Sequence, residues 1–334
     1  MAASAEHELL TGGQLIGVDL GGTKVTAAAF SGGELGEPST APTDTDNADE
    51  LIDQIVGLVG DVRGSEAAAV GVGVPSVIDF ATGRVKASVN VPLRDVPIRE
   101  LLSERLELPV FVDNDANCAS LAEAHDGDRL AVRDLVMFTV GTGVGGGLVL
   151  NGRPYRGATG AAAELGHTVI GLDLNDGAPQ TRERFPQAGS LEDMAAGRAL
   201  DRLALAAAGD QPDSALGRLG ASGRELTGRD AVDAAGEGDE AALRAVRLLG
   251  ERLGVGIANA INTFDPEVVA IGGGVSAAGE LLLEPARETA LRFVLPGVGE
   301  RTEIRLARYG PEAGLRGAAL LARQELGARE GAGV

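Results

Sequence analysis

One local pattern occurs twice in this chain: an apolar run, a glycine turn, then a second apolar run. Residues 15–30 read "LIGVDLGGTKVTAAAF", and residues 134–155, about 120 positions later, read "DLVMFTVGTGVGGGLVLNGRPY". Glycines between short apolar runs favour hairpins, so each copy opens a sheet and two similar halves are implied. Strands and helices alternate around them. "NADELIDQIVGLVG" carries apolar residues at 51, 52, 55, 56 and 59, a helical face ending at Gly60. "AAAVGVGVP" and "LPVFVDND" read as buried strands flanking a helical "IRELLSERL". Helices dominate from Leu191, including a long one across "DEAALRAVRLLGERLGVGIANAINTF". "EVVAIGGG" then reads as a strand, "SAAGELLLEPARETALRFV" as a helix, "TEIRLARYG" as a strand and "EAGLRGAALLARQEL" as the last helix. A length of 334 residues suits two domains. The expected division is an N-terminal α/β domain over 14–122, completed by the C-terminal helix 311–328, and a C-terminal α/β domain over 123–310 with helical insertions.

Composition removes several functional classes. The formal charge of -20 is spread along the chain, which disfavours nucleic acid as a partner. No apolar run reaches the roughly 18 residues that a membrane helix needs. The opening "MAASAEHELLTGG" lacks the pattern of a secretion signal, so a cytoplasmic location is expected. One cysteine, Cys118, excludes an internal disulfide and any multi-cysteine zinc module, and reads as a small buried residue. Lys24 and Lys86 are the only lysines among 29 basic residues. Acidic excess with scarce lysine reads as adaptation to a salty, halophilic setting, with a coding bias toward Arg and Ala as the plainer explanation.

The glycine turns suggest anion cradles. In "DLGGTK" the residues Gly21, Gly22, Thr23 and Lys24 would offer backbone amides and a positive charge to phosphate oxygens. Asp19 before the turn could hold Mg²⁺, directly or through water. "GTGVGG" supplies Gly141, Thr142, Gly143 and Gly145; it matches GxGxxG formally, but a strand follows it instead of the helix that a dinucleotide fold requires. "IGGGVS" supplies Gly272, Gly273 and Gly274 and could pack against a nucleoside. A plain hairpin turn, or at "IGGGVS" a tight strand-to-helix connection, is the alternative reading. "DNDAN" places Asn114 and Asp115 where a strand meets a helix, a position at which either residue could simply cap the helix. Asp113 reads as structural, and Arg84, Arg153 and Arg156 read as surface residues that could approach phosphates.

Three glycine turns in this order resemble the phosphate and adenosine loops of the actin, hexokinase and Hsp70 ATPase superfamily. More closely, "VDNDANCASLAEA", "FTVGTGVGGGLVLNGRPYRGATGAAAELGH" and "VVAIGGGVSAAGELLLEP" resemble a sugar kinase of the ROK family, of repressors, open reading frames and kinases. The resemblance implies a two-domain α/β fold of the actin-like ATPase (ribonuclease H-like) type with a cleft between the domains. It implies ATP and Mg²⁺ as cofactors and a hexose as substrate, in a homodimer or larger homo-oligomer. Asp115 matches the catalytic base, and Asn90, Asn114, Asp115, Glu164, His167 and Glu192 fall on the sugar ligands. Asn90 in "SVNVP" and Glu192 in "GSLED" match more loosely. The implied reaction is phosphorylation of glucose at its 6-hydroxyl, as a glucokinase performs at the entry to glycolysis. An N-acylhexosamine kinase, a fructokinase and a catalytically idle sugar-binding regulator are the alternatives. Repressors of the family carry an N-terminal helix-turn-helix, and the 14 residues before the first expected strand favour a kinase.

One departure stands out. The family's cysteine-rich CxCGxxGCxE segment is replaced by "ERFPQAGSLE", which puts Glu183, Phe185 and Ser190 where three zinc-binding cysteines are usual. No structural zinc is therefore expected. Asp173, Asp176 or Glu183 could orient the His167 ring instead.

Overall fold

A computed structural model of the chain describes residues 13–88 and 90–331. The opening stretch read for a secretion signal thus lies almost wholly outside the described residues. The chain divides into two compact units: 1–133 with 147–162 and 308–334, and 134–146 with 163–307. The first unit therefore runs beyond the expected 14–122 and takes in a hairpin from the middle of the sequence. Among the described residues no helix is long and apolar enough to cross a membrane.

In the first unit the strands Gln14–Leu20 and Lys24–Ser31 pair antiparallel about the "GGT" turn, with Leu20 opposite Val25. Ala67–Val74 runs parallel to the first strand, and Val110–Asn114 runs parallel to Ala67–Val74. Their registers set Asp19 beside Gly73 and Gly73 beside Asp113. Three strand ends thus finish level at one edge, where parallel sheets place their ligands. Alternation along each strand then sorts the faces. Ile16, Val18, Val70 and Val72 meet Leu51, Ile52, Ile55 and Leu102 from the helices Ala48–Val62 and Ile98–Leu106. Leu15, Ala69 and Phe111 meet Leu121, Ala318 and Ala322 from the helices Asp115–Glu123 and Ala313–Gly331. The Ala48–Val62 helix starts where Asn47 accepts a 2.9 Å hydrogen bond from the Glu50 amide.

The C-terminal helix lies unusually close to the sheet because glycines line the contact. A Cβ at Gly17 would collide with the Leu315 carbonyl, one at Gly71 with the Ala318 carbonyl, and one at Gly317 with the Cys118 carbonyl. A Cβ at Gly314 would stand 2.7 Å from the Asp19 carboxyl carbon, so the helix begins directly over that side chain.

In the second unit Leu135–Val140, Val268–Gly272 and Glu303–Leu306 run parallel, with Thr139 beside Gly272. Glu240–Phe264 packs along Glu280–Phe293. Gly250 and Gly254 allow the close approach, since a Cβ at either would lie 2.6 or 2.5 Å from the Leu282 or Ala286 carbonyl. Two features differ from the sequence reading. The helix expected from Ser276 begins at Glu280; Gly273 (φ 86°) and Gly279 (φ 60°) confine the residues between them to a 3₁₀ turn, Gly274–Ala278. A separate sheet of Ser76–Asp79, Arg84–Ser88 and Arg94–Val96 fills a stretch to which the sequence reading assigned no element.

Two substitutions separate close packing from backbone entropy. Gly71→Ala forces the Ala318 carbonyl away and is expected to cost about 1–3 kcal/mol or more. Gly57→Ala, exposed in a helix with nothing within 4 Å, is expected to stabilise by roughly 0.5–1 kcal/mol. Thermal and urea unfolding of both variants against the parent measures the opposite signs.

Candidate active site

At the level edge of the first unit, Val110–Asn114 ends and Asp115–Glu123 begins without an intervening loop. Asn114 caps the helix: its Oδ1 accepts from the amides of Ala116 at 2.9 Å and Asn117 at 3.2 Å, and its Nδ2 donates to the Ser76 carbonyl at 3.4 Å. The capping role weighed against a sugar contact is therefore real, and the orientation it fixes presents the next residue. Asp115 accepts the Ala116 amide at 2.9 Å. Burial pushes its carboxyl up to about 6; the Ala116 amide opposes this and the nearby Asp19 charge adds to it. Burial likewise raises Asp19, with Lys24 pulling the other way. Among the described residues none donates a hydrogen bond to the Asp19 carboxylate, so its oxygens are available to a cation.

The turn after Asp19 is tied internally. The Gly21 amide donates to the Lys24 carbonyl at 2.9 Å, and the Thr43 hydroxyl donates to the Gly21 carbonyl at 2.7 Å. Thr23 and Lys24 are exposed. Asn90 lies against Gly22, where an added Cβ would stand 3.0 Å from the Asn90 Cβ. The structure thus brings Asp19, Asn114 and Asp115 to one sheet edge and sets Asn90 beside the first glycine turn.

Asp113, read from the sequence as structural, holds this edge in place through a partner that sequence reasoning passed over. Asp113 is buried, accepts the Asn114 amide at 2.8 Å and the Asn117 Nδ2 at 2.9 Å, and takes the Arg156 Nε at 2.7 Å. Arg156 also stacks on Phe80, 3.4 Å from the ring centre, and lies 3.6 Å from Glu325. It is an internal counter-ion, not a surface arginine. Arg84 pairs with Asp95 at 3.0 Å and Arg153 with Glu325 at 3.9 Å. An ion pair separated by 43 positions leaves no trace in local periodicity, so no sequence signal pointed to it.

In the second unit the parallel pairing sets the end of Leu135–Val140 beside that of Val268–Gly272, which brings two glycine turns together. The Gly141 amide donates to the Gly143 carbonyl at 2.9 Å, and the Gly197 amide to the Gly141 carbonyl at 2.7 Å. Glu192 reaches this turn: its Oε2 accepts the Val144 amide at 2.8 Å, and any side chain at Gly143 would strike it. Gly145 leaves room for the Thr139 hydroxyl, which an added Cβ would approach to 2.6 Å. Thr142 is exposed, as are Gly273 and Gly274 at the neighbouring turn. Gly273 has its backbone against that of Val140, 2.6 Å from where a Cβ would stand.

Glu164 and His167 flank a single 3₁₀ turn, Leu165–His167, with His167 Nε2 3.8 Å from Glu164 Oε2. Gly166 is required there, since an added Cβ would hit the Val144 carbonyl. Both side chains face solvent; His167 retains 34% exposure and Glu164 60%. Asp173, Asp176 and Glu183 are exposed, and the ring stacked against His167 belongs to Phe185. His125, by contrast, is buried and bonded through Nδ1 to the Leu121 carbonyl at 2.8 Å; burial lowers it to about 4 and keeps it neutral.

Arg156→Met leaves the Asp113 carboxylate buried without its partner and is expected to cost about 3–5 kcal/mol. Adding Asp113→Asn should recover a large part of that loss. A double-mutant cycle on urea midpoints reads the coupling, and simple additivity would contradict the pairing.

The ROK family profile matches residues 15–325. The glucokinase of Halalkalibacterium halodurans is 35% identical over 322 residues, covering 93% of this chain and 95% of that protein. The N-acetyl-D-glucosamine kinase of Aliivibrio fischeri is 33% identical over 314 residues, 91% of this chain and 98% of that protein. A crystal structure of a ROK family glucokinase from Streptomyces griseus in complex with glucose and AMPPNP superimposes with a TM-score of 0.72 at 35% identity, covering 93% of this chain and all of that one. The fold is the two-domain actin-like ATPase fold. Full-length similarity, the three glycine turns and the strand-to-helix carboxylate agree, and this chain belongs to the ROK family.

Proposed function

We propose that this protein is an ATP-dependent hexose kinase that converts glucose to glucose 6-phosphate, with Asp115 as the general base. The observation that carries the reading is the state of Asp115. A carboxyl held near 6 at the start of a helix is mostly ionised at neutral pH yet basic enough to take a proton. The similarity to glucokinases over nearly the whole chain supports the substrate.

In the proposed reaction the 6-hydroxyl oxygen attacks the γ-phosphorus of ATP while its proton passes to the Asp115 carboxylate. The bond from the γ-phosphorus to the bridging oxygen breaks, and ADP leaves with that electron pair. Asn114, fixed by its own capping bonds, binds a hydroxyl adjacent to the one attacked. Asn90 adds a further polar contact. Glu164, an acceptor, and His167, able to donate or accept, read hydroxyls near the anomeric end. Glu192 is a further polar contact in this reading, with one oxygen already holding the Val144 amide. The turns at Gly21–Lys24, Gly141–Gly145 and Gly272–Gly274 hold the nucleotide. Lys24 offers a mobile positive charge to its phosphates. Asp19, whose carboxylate has no hydrogen-bond donor among the described residues, fits a divalent cation, taken here as Mg²⁺ held directly or through water. When bound, that ion supplies charge neutralisation for the phosphates.

The remaining parts of the proposal follow from the chemistry. ATP as co-substrate fits a cytoplasmic enzyme at the entry to glycolysis, and the family relationship fits a homodimer or larger homo-oligomer. The charge of -20 fits work at high salt, so turnover should hold or rise as KCl is increased.

Asp115→Asn is the direct test. It should lower kcat by about 10²–10⁴-fold while glucose binding persists. The same carboxyl sets a pH dependence: activity should fall as pH drops through about 6, where the base becomes protonated. Stability moves the opposite way. A folded-state value raised above the ordinary 3.8 favours the fold most below about pH 4, and that benefit is lost as pH rises through 6. Asp115→Asn should therefore melt no lower than the parent at pH 7.5. Coupled ADP release with glucose, N-acetylglucosamine and fructose, beside thermal melts, measures these effects. Full turnover by Asp115→Asn would remove the base assignment, and sugar binding without ATP consumption by the parent would favour a sugar-binding regulator.

A further inference from the structure

The segment after His167 loops out within the second unit and returns to its point of departure. Ile170 and Gly171 donate their amides to the Gly189 carbonyl at 2.8 and 3.2 Å, Leu191 donates to the Thr168 carbonyl at 2.8 Å, and Val169 bridges Ser190. Gly189 (φ 74°) closes the neck, where any side chain would strike the Gly171 carbonyl.

Within the loop Arg182 and Gln187 pair at two points: the Arg182 amide donates to Gln187 Oε1 at 2.7 Å, and Gln187 Nε2 donates to the Arg182 carbonyl at 2.9 Å. The Arg182 guanidinium then donates to the Pro186 carbonyl at 3.1 Å and to both oxygens of Asp193 at 2.9 and 3.4 Å. Asp193 sits on the helix Leu191–Ala195, which Ser190 caps. The loop tip is thus pinned to the body of the unit by a two-point arginine–carboxylate contact.

The residue presented by this clamp is Phe185. It is 69% exposed, yet its ring stands 5.0 Å from that of His167 at an interplanar angle of 65°, the edge-to-face arrangement that aromatic rings prefer. The donor chemistry around His167 does not fit a structural metal. Phe185 has no ligand atom, the buried Ser190 hydroxyl already accepts the Asp193 amide at 3.2 Å, and His167 joins no triad of potential ligands among the described residues.

We infer that the Arg182–Gln187–Asp193 clamp holds Phe185 against His167 as a metal-free brace, so that Phe185 and Arg182 act as positioning residues for this histidine. The effect on catalysis rests on the reading of His167 as a sugar contact; the brace itself does not. An imidazole with one flank covered keeps the ring orientation needed to meet a hydroxyl. An uncovered one must be ordered on binding, which weakens the sugar and not the nucleotide.

Histidine side-chain NMR of the full chain reads the brace without any substrate. The chain has three histidines, and the His167 signal is the one lost in His167→Gln. Phe185→Ala should move that signal alone, Phe185→Tyr should restore it, and Arg182→Ala should move it through the loop. In steady-state assays Phe185→Ala should raise the glucose KM about five- to tenfold with the ATP KM and kcat within about twofold, and Phe185→Tyr should recover the parent value. An unmoved His167 signal in Phe185→Ala overturns the brace, as does tightly held stoichiometric zinc whose removal by chelator shifts that signal. A glucose KM raised by His167→Gln but not by Phe185→Ala overturns the positioning role. If His167→Gln itself leaves the glucose KM unchanged while Phe185→Ala moves the signal, the brace stands and the sugar assignment of His167 fails.

Discussion

Two carboxylates two positions apart at one sheet edge have opposite electrostatic fates, and the working geometry of the first unit hangs on that difference. Asp113 is buried and passes its charge to Arg156, while its other oxygen fastens the Asn114 amide and the Asn117 side chain. Asp115 has no cationic partner among the described residues, and burial raises it into the range where a proton can be taken and given. The ion pair makes the strand-to-helix junction rigid, and the rigidity lets the second carboxyl be buried in a fixed direction. Replacing Asp113 by an apolar residue would leave the Asn114 amide without its acceptor and loosen the cap that aims Asp115.

The elements with local signals were legible in the sequence. The helix Ile98–Leu106 coincides with "IRELLSERL", and Glu240–Phe264 with the long amphipathic run, because burial on one face imposes its period on the residues. The glycine turns were legible for the same reason, since a chain reversal between short strands needs residues of little bulk. What escaped was set by partners distant in sequence. Arg156 looked like one more surface arginine, and Asp113 finds it across 43 positions. The small sheet at 76–96 combines strands of three to five residues with a turn at Gly83, too short for alternation to stand out. The structure also narrows the proposed phosphate role of the turns: the Gly21 and Gly141 amides are engaged inside their own turns, which limits the donors each turn can offer.

His167 shows how a lost set of ligands can be read physically. The sequence showed only that thiolates were missing at 183, 185 and 190. In the structure Ser190 caps a helix and Phe185 sets an aromatic surface against the imidazole. Among the described residues no ion pair joins the ring to Asp173, Asp176 or Glu183; its acidic partner is Glu164, at 3.8 Å.

The closing helix Ala313–Gly331 has a bearing on how the chain is made. Gly17 and Gly71 leave a track on the sheet that only this helix fills, and Glu123 locks its approach by accepting the amides of Arg308 at 2.7 Å and Tyr309 at 3.0 Å. The first unit also needs the hairpin at 147–162. Emerging from the ribosome, the N-terminal sheet therefore waits with one apolar face covered only in part, by the helix Asp115–Glu123, while almost the entire second unit is synthesised. The second unit, whose segments are nearly contiguous, can fold in that interval. The order of completion is thus the reverse of the order of translation: the part made first is finished last.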